Sequence, residues 1–257
     1  MKKLKNKIVF ITGASSGIGM ASAKKFAAEG AKLILCARRI DRIKKLSDEL
    51  KKKYKTESLA IKLDVRNRGE VIEVIKNLSA KWKNISILLN NAGLASGLST
   101  IQNADVEDWE KMIDTNIKGL LYVTREILPG MVLRNDGHII NIGSITGHFT
   151  YPGGNVYSAT KFAVNSLTQG LRMDLFETKI RVTSVDPGLV ETEFSLVRFH
   201  GDANSASQIY KNMQPLTADD IADTILFCAT RPAHVNIQDV IIMPTDQASM
   251  HLISRKK

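Results

Sequence analysis

The stretch that most limits what this chain can fold into is Ile8-Val9-Phe10-Ile11 followed by Thr12-Gly13-Ala14-Ser15-Ser16-Gly17-Ile18-Gly19. Four consecutive apolar residues read as a short strand buried on both faces, as in a parallel sheet. An amphipathic helix then runs to about Glu29, and Gly30 is placed to end it. A strand, a glycine-rich turn and a helix aim free backbone N–H groups at one point, where a pyrophosphate binds. The spacing is G-x-x-x-G-x-G rather than the commoner G-x-G-x-x-G, so its weight comes from its place directly after a strand. Gly13, Ser15, Ser16, Gly17, Ile18 and Gly19 are therefore candidate cofactor contacts.

The same alternation continues along the chain. Further strands are predicted at 32–36, 58–63, 85–89, 138–142, 180–185 and 240–243. Helices are predicted at about 41–54, from beyond Asp64 to about 81, and at 105–134, 157–177 and 217–229. Strands and helices alternating this regularly give an α/β fold, a single doubly wound parallel sheet, as one domain over 1–257. A chain of 257 residues is long enough to bury the core this needs. The weakly periodic segment 189–213 is expected to be a substrate loop or lid.

About 20 residues after the glycine turn, an NAD enzyme carries an acidic residue for the ribose 2′-hydroxyl. Here Ala37 is followed by Arg38 and Arg39. A carboxylate would repel a 2′-phosphate, whereas guanidinium binds phosphate in bidentate fashion, so NADP is the expected cofactor. The formal charge of +10 raises the question of nucleic acid. Much of that excess lies at 44–45 and 51–53, interleaved with Asp48 and Glu49, which reads as a solvated helix face. No nucleic-acid partner is expected.

Cys36 and Cys228 have neither metal spacing nor a disulfide framework, and Cys36 ends an apolar run. The basic start leads into only four apolar residues, too few for a signal segment, and no later run is long enough to cross a bilayer. The expected location is the cytoplasm, with no membrane partner. The five histidines show no ligand spacing, so no metal is expected.

Tyr157 and Lys161 are four residues apart on a predicted helix and so share one face. A free phenol ionises near pH ~10. An ammonium beside it favours the phenolate and suits the pair to acid/base work on an alcohol or carbonyl oxygen. Ser144 lies just past the fifth strand, thirteen residues earlier. Asn116 sits inside a predicted helix, where asparagine is a poor choice without a reason. Asp64, and the amides of Asn90 and Asn91 before Ala92-Gly93, lie at strand carboxyl ends, where open α/β sheets bind ligands.

Taken in order, Thr12-Gly13-x-x-x-Gly17-Ile18-Gly19, Asp64, Asn90-Asn91-Ala92-Gly93, Asn116, Ser144, Tyr157-x-x-x-Lys161 and Pro187-Gly188 resemble the short-chain dehydrogenase/reductase family over nearly the whole chain. The resemblance implies a seven-stranded Rossmann-type sheet with helices on both faces, and hydride transfer to or from a nicotinamide. It implies Tyr157 as the acid/base, Lys161 as the group that lowers its pKa and bonds the nicotinamide ribose, and Ser144 as the hydroxyl that orients the substrate oxygen. It further implies a proton-relay water at Asn116, adenine contacts at Asp64 and Val65, and a ribose-side contact at Asn91, with Gly93 beside it. Pro187, Gly188, Val190 and Thr192 would form the nicotinamide pocket, and the subunits would assemble as a homotetramer.

Tyr151-Pro152-Gly153-Gly154, Glu191 to Ser195, Val197-Arg198-Phe199, Gly201-Asp202, His234 to Ile237, Met243-Pro244-Thr245 and Gln247 resemble one subgroup. That subgroup is the NADP-dependent 3-hydroxy acid dehydrogenases, including serine and allo-threonine dehydrogenases. A small 3-hydroxy acid needs a partner for its carboxylate, and Arg198 in the loop is the candidate. One alternative is an NADPH-dependent reductase of 3-oxoacyl thioesters or general carbonyls. Another, of a different class, is a non-catalytic NADP-sensing or nucleic-acid-binding protein, which would have no chemical need for Ser144, Tyr157 and Lys161 together.

Overall fold

The computed structural model describes residues 2–255; Met1, Lys256 and Lys257, included in the expected span, lie outside it. The elements in chain order are β1 (Ile8–Thr12), α1 (Gly17–Ala28), β2 (Lys32–Ala37), α2 (Ile40–Tyr54), β3 (Ser58–Lys62), α3 (Arg68–Lys76), α4 (Ala80–Lys83) and β4 (Ile85–Asn90). Then come α5 (Val106–Ile113), α6 (Leu120–Arg134), β5 (Gly137–Ile142), α7 (Asn155–Asp174), β6 (Ile180–Pro187), β7 (Val190–Glu191), α8 (Glu193–Arg198), α9 (Ala203–Gln208), β8 (Leu216–Thr217), α10 (Ala218–Ala229) and β9 (Asp239–Ile242). Seven strands form one sheet in the order β3-β2-β1-β4-β5-β6-β9, and every neighbouring pair is parallel.

Alternation along the strands assigns the two faces. Val9, Ile11, Leu33 and Leu35 join Phe26 of α1, Ile43 and Leu46 of α2 and Ile221 and Ile225 of α10 in one apolar layer. Ile8, Phe10 and Ile34 point the other way, onto Val71 of α3 and Val123, Ile127 and Met131 of α6. Helices therefore cover both faces, which a wholly parallel sheet requires. The exposed lysines of α2 lie opposite its buried stripe of Ile43, Leu46 and Leu50, a solvated face as expected.

Two predicted helices are corrected. The segment read as one helix over 105–134 is α5 and α6 joined by a π-helical turn, Asp114–Gly119, with Asn116 inside it. The helix expected to reach about 81 stops at Lys76, and a separate turn of helix, α4, buries Trp82. The weakly periodic 189–213 segment contains β7, α8 and α9, and β7 pairs with β8 outside the main sheet.

β1 lies between β2 and β4, so the chain leaves the sheet in opposite directions from adjacent strands at this point. The crevice outside the carboxyl ends of such strands is where this architecture binds ligands. Asn91 closes its floor. Its Nδ2 donates to the Thr12 and Gly13 carbonyls at 2.9 and 3.1 Å, and the Thr12 hydroxyl accepts from the Asn91 and Ala92 N–H groups. Asn90, expected with it at the ligand end of the strand, points instead into the sheet and donates to Thr124 and Asn141.

Candidate active site

A cavity of about 370 Å³ opens over this crevice. At one end is the N-terminus of α1. Its N-cap, Ser16, makes no side-chain cap bond, and its first turn holds no acidic residue. By contrast, Asn67, Asp105, Thr192, Asp202 and Thr217 each accept from an N–H of the helix they precede. The α1 N–H groups are thus left for an external anion, as pyrophosphate binding needs. Gly13 has φ +66°, and a Cβ there would come within 2.8 Å of Asn91 Nδ2, so only glycine allows this turn. Gly19 serves differently. It lies outside the cavity lining, and a Cβ on it would meet Asn91 Nδ2 and the Gly13 carbonyl at 2.5 Å, so it lets helix and turn pack closely.

Arg38 and Arg39 line the same end of the cavity, beside Asp64 and Val65. Arg39 donates to the Ser15 and Ser16 hydroxyls of the glycine turn. Asp64 is held by Arg66, with a 2.6 Å contact from Nη2, and that guanidinium keeps its carboxyl below the usual carboxylate range. The donors at this end suit a phosphorylated adenosine.

At the other end stand Ser144, Tyr157 and Lys161, all buried. Ser144 caps a short 3₁₀ turn, and its Oγ accepts from the N–H and the hydroxyl of Thr146 at 3.1 and 3.0 Å. Tyr157 and Lys161 lie one turn apart on α7, with Lys161 Nζ 5.9 Å from the tyrosine ring centroid. Nζ donates to the Ile142 carbonyl at 2.8 Å, at the end of β5. Burial lowers the Lys161 ammonium to about 8, and the Asp186 charge opposes this.

Burial pushes the Tyr157 phenol above its ordinary value, and Tyr151 adds to this. The hydroxyls of Ser144 and Thr146 and the charge of Arg198 pull the other way. The lowering expected from Lys161 is therefore not the dominant effect on this phenol, because desolvation disfavours the phenolate more strongly.

Arg198, at the end of α8, reaches the same place. Its guanidinium carbon is 5.6 Å from the Tyr157 ring centroid and 5.3 Å from that of Tyr151. Nε donates to the Gly97 carbonyl at 3.3 Å and Nη2 to the Tyr151 hydroxyl. It bonds none of Glu191, Glu193 or Asp202 among the described residues. Asn116 does not line the cavity. Its Oδ1 accepts from the Leu94 N–H, and its Nδ2 donates to the Leu94 carbonyl and to Thr160 Oγ1, tying the loop after β4 to α7.

The family model described as short chain dehydrogenase matches residues 7–201. The chain belongs to the short-chain dehydrogenase family. This dehydrogenase is 51% identical over 242 residues to the NADP-dependent 3-hydroxy acid dehydrogenase of Salmonella typhi, covering 94% of this chain and 96% of that protein. It is 44% identical over 258 residues to the NADP-dependent 3-hydroxy acid dehydrogenase of Schizosaccharomyces pombe, covering 100% of both. The closed form of a serine dehydrogenase complexed with NADP+ superposes with a TM-score of 0.91 at 48% identity, covering 97% of this chain and 100% of that one.

The dehydrogenase brings together nearly all the residues singled out in its sequence, while Gly19, Asn90 and Asn116 stand behind the cavity wall. Pro187, Gly188, Val190 and Thr192 border the cavity between its two ends. Thr146, Tyr151, Arg42 and Glu193 carried no assigned role in the sequence. Tyr151 lay in a motif already quoted, and the hydroxyl two residues after Ser144 was a visible signal. Arg42 and Glu193 are 151 residues apart, and nothing local links them.

Proposed function

We propose that this dehydrogenase transfers hydride between NADP(H) and a small 3-hydroxy acid, acting as a single catalytic domain with 189–213 as its substrate loop. The observation that carries this reading is the position of Arg198: a cation stands over the ring of Tyr157, in the cavity that Ser144 also lines. Nε and Nη2 of Arg198 bond the protein, and among the described residues Nη1 has no partner, which leaves it for a carboxylate. The names of the relatives support the same cofactor and substrate class.

NADP, when bound, supplies the hydride acceptor or donor. The α1 N-terminus with Ser15 and Ser16 would hold its pyrophosphate, Arg38 and Arg39 its 2′-phosphate, Asp64 and Val65 its adenine, and Asn91 and Gly93 its ribose side. Pro187, Gly188, Val190 and Thr192 would form its nicotinamide pocket. Tyr157 gives or takes the proton at the substrate oxygen, and Ser144 orients that oxygen. Lys161, anchored on the Ile142 carbonyl, serves the nicotinamide ribose and stabilises negative charge on Tyr157. Arg198 pairs with the carboxylate and thereby sets the 3-hydroxyl against Tyr157. Asn116 works through Leu94 and Thr160 and holds the place of a relay water.

Assembly as a homotetramer is part of the proposal. Leu133 of α6, Met173 of α7 and Phe176 just beyond it are 89%, 75% and 83% exposed, more apolar surface than helix ends need to show. The cytoplasm is the proposed location, and both buried cysteines are free thiols, in keeping with a reducing compartment. Among the described residues no helix is long and apolar enough to cross a membrane.

The test is a substrate panel: serine and other 3-hydroxy acids, simple alcohols, diketones and a 3-oxoacyl thioester, each with NADP and NAD, read by absorbance of the reduced nicotinamide. Acids should be turned over best, with NADP. A preference for thioesters or neutral alcohols would defeat the substrate assignment, and a preference for NAD would defeat the cofactor assignment.

A further inference from the structure

The cofactor end of the cavity contains a carboxylate where an anion site would be expected to exclude one. Arg39 Nη1 donates to Glu193 Oε2 at 2.8 Å, and Arg42 Nη1 donates to Glu193 Oε1 at 2.6 Å. The rest of the Arg39 guanidinium is spread over the Ser15 and Ser16 hydroxyls, at 2.8 to 3.2 Å. Glu193 thus closes a ring of donors that begins at the glycine turn, and Arg39 and then Arg42 hold its carboxyl below its ordinary value.

Glu193 is also the first residue of α8, which is pinned at both ends. Its C-terminal residue, Arg198, bonds Gly97 and Tyr151, and between them the Phe194 ring packs edge-on to Tyr157 with centroids 5.6 Å apart. One short helix therefore touches the arginines at one end of the cavity and the acid/base tyrosine at the other.

We propose that Glu193 is the internal occupant of the 2′-phosphate subsite: it holds Arg39 of the cavity wall, with Arg42 behind it, and gives both up when a 2′-phosphate binds. It thereby lowers the affinity for 2′-phosphorylated cofactor and links arrival of that phosphate to release of the first turn of α8. The proposal rests on the NADP reading above. Both side chains of each pair are 41–48% exposed. Exposed pairs of this kind are weak and screened. A phosphate with its greater charge and three acceptor oxygens displaces a single carboxylate from two guanidinium groups.

The decisive experiment compares adenosine 2′,5′-bisphosphate with 5′-AMP by calorimetric titration of the whole protein, since the two ligands differ only in the 2′-phosphate. Glu193→Gln should bind the bisphosphate about two- to tenfold more tightly than the parent, the range expected from losing two exposed pairs, with 5′-AMP unchanged. Glu191→Gln, which removes an exposed charge two residues away, should leave both affinities alone. Unchanged or weaker bisphosphate binding by Glu193→Gln would overturn the proposal. So would equal tightening of both ligands, or the same gain in Glu191→Gln, since either would reflect net charge. A parent that binds the two ligands equally would instead show that the NADP reading itself is wrong.

Discussion

Replacing Lys161 with Met should leave a protein that is more stable at neutral pH and catalytically dead. Lys161 is 6% exposed, and its ammonium falls from an ordinary 10.5 to about 8 in the folded protein. Between those values the unfolded chain binds the proton more tightly than the folded one, so stability rises with pH through that window. Below about pH 8 the folded state carries the full penalty of a buried ammonium. A gap of 2.5 at 1.36 kcal/mol per pH unit makes this about 3 kcal/mol. Met fills a similar volume without the charge, but it abandons the 2.8 Å bond to the Ile142 carbonyl. Leaving that acceptor unpaired costs roughly 1–3 kcal/mol. The difference leaves Lys161→Met ahead by about 1–2 kcal/mol at pH 7. By pH 10 most of the penalty in the parent is gone, so the advantage should shrink by about 2 kcal/mol and approach zero or reverse. Urea unfolding of both proteins at the two pH values measures this, while turnover collapses throughout. An advantage that does not change between pH 7 and pH 10 would refute the argument, because it would show that the ammonium is not what destabilises the fold.

Tyr157→Phe keeps the ring and its contact with Phe194 but loses the proton, so turnover should fall by ~10² to 10⁴-fold while calorimetric NADP binding survives; turnover within a factor of about two of the parent would remove Tyr157 from the mechanism. Arg198→Met should damage oxidation of 3-hydroxy acids by ~10²-fold or more and neutral alcohols much less, as a charged contact of a few kcal/mol implies; equal losses on both would mean that Arg198 only supports the loop. Gly19→Ala should cost about 1–3 kcal/mol of stability in urea unfolding, because its methyl group would sit 2.5 Å from both Asn91 Nδ2 and the Gly13 carbonyl. An Ala variant as stable as the parent would show that the α1 turn yields freely there.

The sheet was legible because each strand is a short apolar run and because parallel packing leaves few choices of order. Ile8–Ile11 and 32–36 are read as strands from their short apolar runs, and both are buried strands of the sheet, paired with each other. The π turn at Asn116 was not legible. The stretch is helical on both sides of it, and a single wider turn has no residue type of its own to mark it. The cavity wall followed from motifs in chain order, but charge pairing did not. Glu193 and Arg39 are 154 residues apart, and either could have faced solvent. The tyrosine pKa failed for a similar reason: four-residue spacing brings Lys161 near but says nothing about how thoroughly Tyr157 is desolvated.

The pairing of β7 with β8 bears on how such enzymes diversify. Val190 and Glu191 lie beside Leu216 and Thr217, so the chain leaves and re-enters the body of the protein through a single two-rung clasp. Everything between, including α8 and α9, is a cassette on a fixed mount. Its length and chemistry can be exchanged without disturbing Pro187 and Gly188 on one side or the capping box of α10 on the other. A library of grafted segments between 193 and 215 should therefore keep the sheet intact while its substrate preference drifts, with melting lowered wherever the contacts to Arg39, Gly97 and Tyr151 are lost. For a designer, that makes this clasp the cut site to choose.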